Sequence, residues 1–182
     1  MAAWVLLLRG VGGRAQVPPR LLRAALAASG FGFVAVQGQT GNAVVTSDLG
    51  RDGVRDLAAG TCRREIGFGK DIHAVAAADW DALVAGNPFP EAAGRPPTLH
   101  AAILGAEPDP ARVAALRALG DGSDGIELRG RVAYLHAPQG FARSRIATRF
   151  DRGIGVPATA RSWATVLRLH ALLDRARAAE AA

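Results

Sequence analysis

WVLLLRGVGGRAQVPPRLLRAALAASGF, residues 4–31, admits two parsings that lead to different folds. In the first, Gly10-Val11-Gly12-Gly13-Arg14-Ala15 satisfies G-x-G-x-x-[GA], the loop that sets a dinucleotide pyrophosphate on a helix N-terminus. That loop works only where the helix starts at the glycines, so that its first amides face the phosphates. Here Pro18 and Pro19 suit the first turn of a helix, where a missing N–H costs nothing, and the helix starts several residues too late. Leu21, Leu22, Ala25 and Leu26 then recur at helical spacing until Ser29-Gly30 stops them. The next strand ends at Val36-Gln37, with no Asp or Glu to take a ribose hydroxyl. The second parsing therefore holds: Trp4–Leu8 is a buried strand and the glycines form a strand-end loop, with no cofactor expected.

Outward from this stretch the pattern is β-α-β-β-α-β. Phe33–Val36 and Ala43–Thr46 are strands joined by Gln39-Thr40-Gly41-Asn42, residues whose turn chemistry favours a hairpin. Asp52–Arg64 predicts a helix with Val54, Leu57 and Ala58 on one face, and Ile72–Val75 a short strand. This is the split order of a ferredoxin-like unit. A helix over Asp79–Ala85 and the proline-rich stretch Asn87–Pro97 follow. The theme then repeats without evident sequence similarity: strand Thr98–Leu104, helix Asp109–Leu119, and a hairpin of Ile126–Leu128 with Val132–His136 about Arg129-Gly130-Arg131. Ser144–Phe150 reads as a helix and Pro157–Ala160 as a short extended piece. Trp163–Ala179 reads as a long amphipathic helix with Val166, Leu167, Leu169, Leu172 and Leu173 on its apolar side. The expectation is an α+β protein of two ferredoxin-like halves with a C-terminal amphipathic helix. Residues 1–78 and 98–182 are the halves, and 79–97 is the connector between them.

With 182 residues, 49% of them hydrophobic, the chain can bury a sizeable core. No apolar run approaches the roughly eighteen residues of a membrane span. The N-terminus lacks the basic and long apolar regions of a signal peptide, so a cytoplasmic location is expected. Cys62 is the single cysteine, which excludes an internal disulfide and a cysteine metal cluster. The net charge of +6 is carried by arginine, Lys70 being the one lysine. Between Arg129 and Arg161 seven arginines face only Asp151.

Several pieces occur in a characteristic order: Leu7-Leu8-Arg9-Gly10, Gly12-Gly13, Val17-Pro18, Gly30-Phe31 and Gln39-Thr40-Gly41-Asn42. Asn87-Pro88-Phe89-Pro90, Gly140 with Ser144-Arg145, and the run Gly155–Val166, which contains Arg161-Ser162-Trp163, complete the set. The chain thereby resembles, over almost its full length, the bacterial family catalogued as domain of unknown function 1697. The resemblance implies a two-part α+β fold and no established activity. The family pattern R-G-I-N-V-G-G is two residues shorter here. Gln39-Thr40-Gly41-Asn42 stands for Q-S-G-N, Arg145 for a lysine and Ser162 for an asparagine. Arginine in place of lysine keeps the charge but turns a point donor into a planar fork.

Two candidate sites emerge. In a β-α-β-β-α-β unit the loop after the first strand and the first hairpin lie at the same end of the sheet. Arg9, Gly10, Gly12, Gly13, Arg14, Gln39 and Asn42 are thus expected together as a cradle for an anion or a polar ligand. The second candidate is the basic segment Arg143, Ser144, Arg145, Arg149, Arg152 and Arg161 with Trp163. There Ser144 caps a helix, and Phe141 and Trp163 are possible stacking surfaces. His73, His100, His136 and His170 are too scattered for a metal site. Cys62 lies beside Arg63 and Arg64, which would lower its pKa, but it has no sequence partner for catalysis. The expected function is binding of an anionic partner, a nucleotide-like small molecule or a nucleic acid. An enzyme acting on a phosphorylated small molecule at the glycine-loop end, or a protein-interaction module, are the alternatives.

Overall fold

A computed structural model describes residues 1–11, 16–69 and 71–181. Among the described residues eight strands and six α-helices follow one another as two β-α-β-β-α-β series, joined by a helix and two 3₁₀ turns and closed by a long helix. The α+β class and the ferredoxin-like repeat expected from the sequence are both present. Packing groups the chain into one unit of Met1–Ala82 with Leu167–Ala182 and a second of Leu83–Val166. The last helix, assigned by chain order to the second half, thus falls mostly with the first.

The first unit contains β1 (Ala2–Leu8), α1 (Pro19–Ala28), β2 (Val34–Gln37), β3 (Asn42–Ser47), α2 (Arg51–Ile66) and β4 (Ile72–Ala76). Its sheet is fully antiparallel in the order β2-β3-β1-β4, with Leu7 opposite both Asn42 and His73. Trp4, Leu6 and Leu8 on β1 pack with Leu22 and Leu26 of α1 and Val54, Ala58 and Cys62 of α2. The intervening Val5 and Leu7 are also fully buried. Burial on both faces explains why β1 reads as a continuous apolar run instead of an alternation. Thr46 lies on the sheet face away from α1 and α2 and donates to Glu180 at 2.9 Å. Pro18 precedes α1 as its cap and Pro19 begins it; at the far end the Ser29 hydroxyl donates to the Leu26 carbonyl (2.8 Å).

The second unit contains β5 (Leu99–Leu104), α4 (Pro110–Arg117), β6 (Gly125–Arg129), β7 (Val132–His136), α5 (Arg145–Gly153) and β8 (Ala158–Ser162). Its order, β6-β7-β5-β8, reproduces the first sheet. The extended piece expected near Pro157–Ala160 is a full edge strand, paired antiparallel with β5 from Leu104↔Ala158 to His100↔Ser162. Ala102, Leu104, Leu116, Ile126, Leu135, Ile146 and Phe150 form the core between this sheet and α4 and α5. On the other face the buried Tyr134 hydroxyl donates to the Leu83 carbonyl at 2.7 Å. The proline-rich stretch, expected as a connector, holds two 3₁₀ turns, Pro90–Gly94 and Pro96–Thr98.

Helix α3 spans Ala77–Ala85, starting directly after β4, and α6 spans Trp163–Ala181. The buried line of α6 is Trp163, Val166, Leu169, Leu173 and Ala176. Leu167, expected on that line, is 40% exposed, because the line follows steps of three and four and 167 falls outside it.

Candidate functional site

The first candidate rests on the approach of the β1 end to the β2–β3 turn. The Leu8 amide donates to the Gly41 carbonyl at 3.0 Å, and the Arg9 amide to the Asp71 carbonyl at 2.9 Å. Arg9, Gly10 and Gln39 are therefore at one end of the sheet, as strand order requires. Gly12, Gly13 and Arg14 lie outside the described residues. The turn itself is Gly38–Gly41, one position earlier than expected, and Asn42 is the first residue of β3. The Asn42 side chain is buried, and its Nδ2 donates to the Thr40 hydroxyl at 2.8 Å, which holds the turn. Arg9 reaches Asp71 at 3.8 Å, a solvent-screened pair that contributes little to stability. Gln39 and Thr40 of the turn are both exposed. The sheet is fully antiparallel and α1 begins at Pro19, whereas a dinucleotide loop joins a parallel strand to a helix that starts at its glycines.

The second candidate is built on α5. Ser144 precedes it, buried, and its hydroxyl accepts from the Ala147 amide at 3.0 Å, a side-chain N-cap. Ile146 and Phe150 face the core. Arg145, Arg149 and Arg152 lie four and three residues apart on the opposite, exposed side, and Arg143 is exposed just before the helix. Side chains at that spacing neighbour one another, with Cβ atoms about 5–6 Å apart. Among the described residues none of these four arginines pairs with a carboxylate. Arg145 occupies the first turn, where the helix dipole disfavours a cation, so helix stability does not account for it.

Arg161 and Trp163 do not join this row. Arg161 stands opposite Ala101, and Ala101 opposite Tyr134, on the sheet face turned away from α5. Its Nη1 donates to the Ala160 carbonyl at 2.9 Å, and burial lowers its pKa to about 10, which leaves it charged at neutral pH. Trp163 is buried beside Tyr134, ring centroids 6.5 Å apart. Phe141 covers the His100 ring at 3.5 Å. Burial pushes the His100 pKa down to about 4, so this imidazole is neutral at pH 7. Neither aromatic is a free stacking platform.

Cys62 is fully buried, and burial raises its thiol to about 11. The lowering anticipated from Arg63 and Arg64 is overturned, because both arginines point to solvent while the sulfur points to the core. No group of three His, Cys, Asp or Glu able to hold a metal occurs among the described residues. Among them, no helix is long and apolar enough to cross a membrane.

Sequence reasoning missed a third feature, a cleft of about 530 Å³ beside β2. Arg20 and Arg23 of α1, Arg175 and Leu172 of α6, and Phe33 line it together with β2. The signal available was the i, i+3 pair Arg20 and Arg23 on the polar side of α1. Nothing local connects that pair with Arg175.

The family model described as "Protein of unknown function (DUF1697)" matches residues 1–134. No curated protein matches the chain. Among solved structures, the conserved bacterial protein SP0830 from Streptococcus pneumoniae is similar, with a TM-score of 0.71 and 16% identity. The match covers 96% of this chain and 99% of that one. At that identity the likeness speaks for the shared fold.

Proposed function

The chain belongs to the DUF1697 family of proteins of unknown function, and from that premise we propose that it binds nucleic acid through the arginine row of α5. The observation that carries this reading is the line Arg145, Arg149 and Arg152, exposed and without carboxylate partners among the described residues. Charges one helical turn apart on a convex surface meet successive phosphates of a polymer laid along it. A small molecule would instead require a concave site that encloses it. Arg143 extends the row past the helix start, and arginine forks hold phosphate oxygens in pairs. With both aromatics of the segment packed away, the binding is by backbone charge and independent of base sequence.

The test is fluorescence anisotropy with a labelled 20-nucleotide single strand and the corresponding duplex, over 25–200 mM salt. Affinity is expected to fall steeply with salt. The triple variant Arg145→Ala, Arg149→Ala, Arg152→Ala is expected to reduce the log–log slope by about two for the single strand and nearly three for the duplex, since each phosphate contact contributes roughly 0.7–0.9. Absence of binding to either probe at 25 mM salt would overturn the reading.

A further inference from the structure

Strand β2, Val34-Ala35-Val36-Gln37, is one edge of the first sheet. In an antiparallel ladder the N–H and C=O of every second edge residue point away from the neighbouring strand. Natural edges are commonly blunted by charged residues or proline, which keep other strands from adding. β2 has neither. The cleft of about 530 Å³ lies along it, with Arg20 and Arg23 on the α1 side and Arg175 with Leu172 on the α6 side. Val34 and Val36 lean into the core shared with α1 and α2, so the α1 side is the helix-covered face of the sheet. Glu180 of α6 meets Thr46 of β3 on the opposite face. The open edge is thus flanked by arginine on both faces.

Among the described residues none of these three arginines pairs with a carboxylate. Three like charges around one cleft repel one another, and an anionic occupant relieves that repulsion. An open strand edge calls for a partner with its own N–H and C=O ladder, which nucleic acid does not have. Phe33 and Leu172 add apolar wall beside the charges.

We propose that this cleft receives an extended acidic peptide segment of a partner protein, added to β2 as a further antiparallel or parallel strand. Main-chain hydrogen bonds to β2 supply the attachment. Successive peptide side chains turn alternately to the α1 and α6 sides, where aspartate or glutamate meets Arg20 and Arg23 or Arg175. The site is separate from the arginine row of α5 in residues and in unit, so the two proposals stand or fall independently.

The test is fluorescence polarisation of the full chain with a labelled eight-residue peptide in which pairs of glutamates alternate with pairs of valines, so that both faces of the added strand carry glutamate. Saturable binding is expected. It should weaken tenfold or more when alternate peptide amides are N-methylated, and likewise in Arg20→Ala/Arg23→Ala/Arg175→Ala. The α5 triple variant should bind the peptide as the parent does. The N-methylated peptide leaves the protein untouched, so that comparison decides the matter even if the cleft variant folds poorly. Equal binding of the N-methylated peptide, or of a lysine–valine peptide, would overturn the proposal. So would full displacement of the peptide by a 20-nucleotide single strand from the α5 triple variant, or absence of peptide binding.

Discussion

Gly41 carries a constraint that Gly38, three residues earlier in the same turn, does not. Both have left-handed backbones, at φ +68° and +66°. A Cβ on Gly38 would meet nothing within 4 Å, whereas one on Gly41 would lie 2.7 Å from Leu8 Cβ and 3.1 Å from Val11 Cγ2. Gly38→Ala is therefore expected to cost only the left-handed penalty, about 1–2 kcal/mol. Gly41→Ala adds overpacking against the β1 end, about 1–3 kcal/mol more. Urea denaturation of the two variants checks this. Equal losses would mean that the turn does not press on Leu8. The same contact explains why a glycine closes the Gln39-Thr40-Gly41 turn, whatever Gln39 and Arg9 bind beyond it.

At the scale of elements, α5 separates stability from the proposed binding. Arg145 opposes the dipole at the helix start, where Ser144 already supplies the cap. Arg145→Glu is expected to stabilise the protein by about 0.3–1 kcal/mol while weakening nucleic-acid binding. Ser144→Ala is expected to cost about 1 kcal/mol, with binding by the folded protein retained. Thermal melts beside anisotropy titrations distinguish the pair, and a less stable Arg145→Glu protein would refute the dipole argument. This helix also marks how far sequence reached. Its arginine row was legible, because i, i+4 and i+7 is a local rule. The exclusion of Arg161 and Trp163 was not, because the face that a β8 residue takes depends on its register with β5, a pairing made across some sixty residues. The strand order was readable from β-α-β-β-α-β alone, and with it the approach of the β1 end to the β2–β3 turn. The inward turn of Asn42 was not readable, since an Asn in a turn either binds outward or holds its own loop. The β2 cleft was hidden for a plainer reason: Arg23 and Arg175 are brought to one strand edge only by tertiary packing.

At the scale of the whole molecule, the first unit is assembled from two separated stretches of chain, Met1–Ala82 and Leu167–Ala182. The second stretch contributes Leu169, Leu173 and Ala176, all fully buried, and Glu180, which accepts from Thr46. Truncating one buried leucine to alanine costs about 2–5 kcal/mol, and removing the segment deletes two buried leucines together with their neighbours. The loss from the two buried leucines, Leu169 and Leu173, is comparable with the whole stability of an ordinary domain, about 5–15 kcal/mol. A chain ended after Val166 is therefore expected to lose amide-exchange protection throughout β1 and β3. Protection in β5 and β7 should survive, because the core of that sheet lies within Leu83–Val166. Adding a synthetic 167–182 peptide in excess should restore protection to β1 and β3, since the segment then acts as a ligand of the folded unit. If β1 and β3 stay protected in the shortened chain, α6 contributes contacts to the first unit but not its stability. If protection in β5 and β7 is lost as well, the two units unfold as one cooperative body, and the division of the chain is geometric without being energetic.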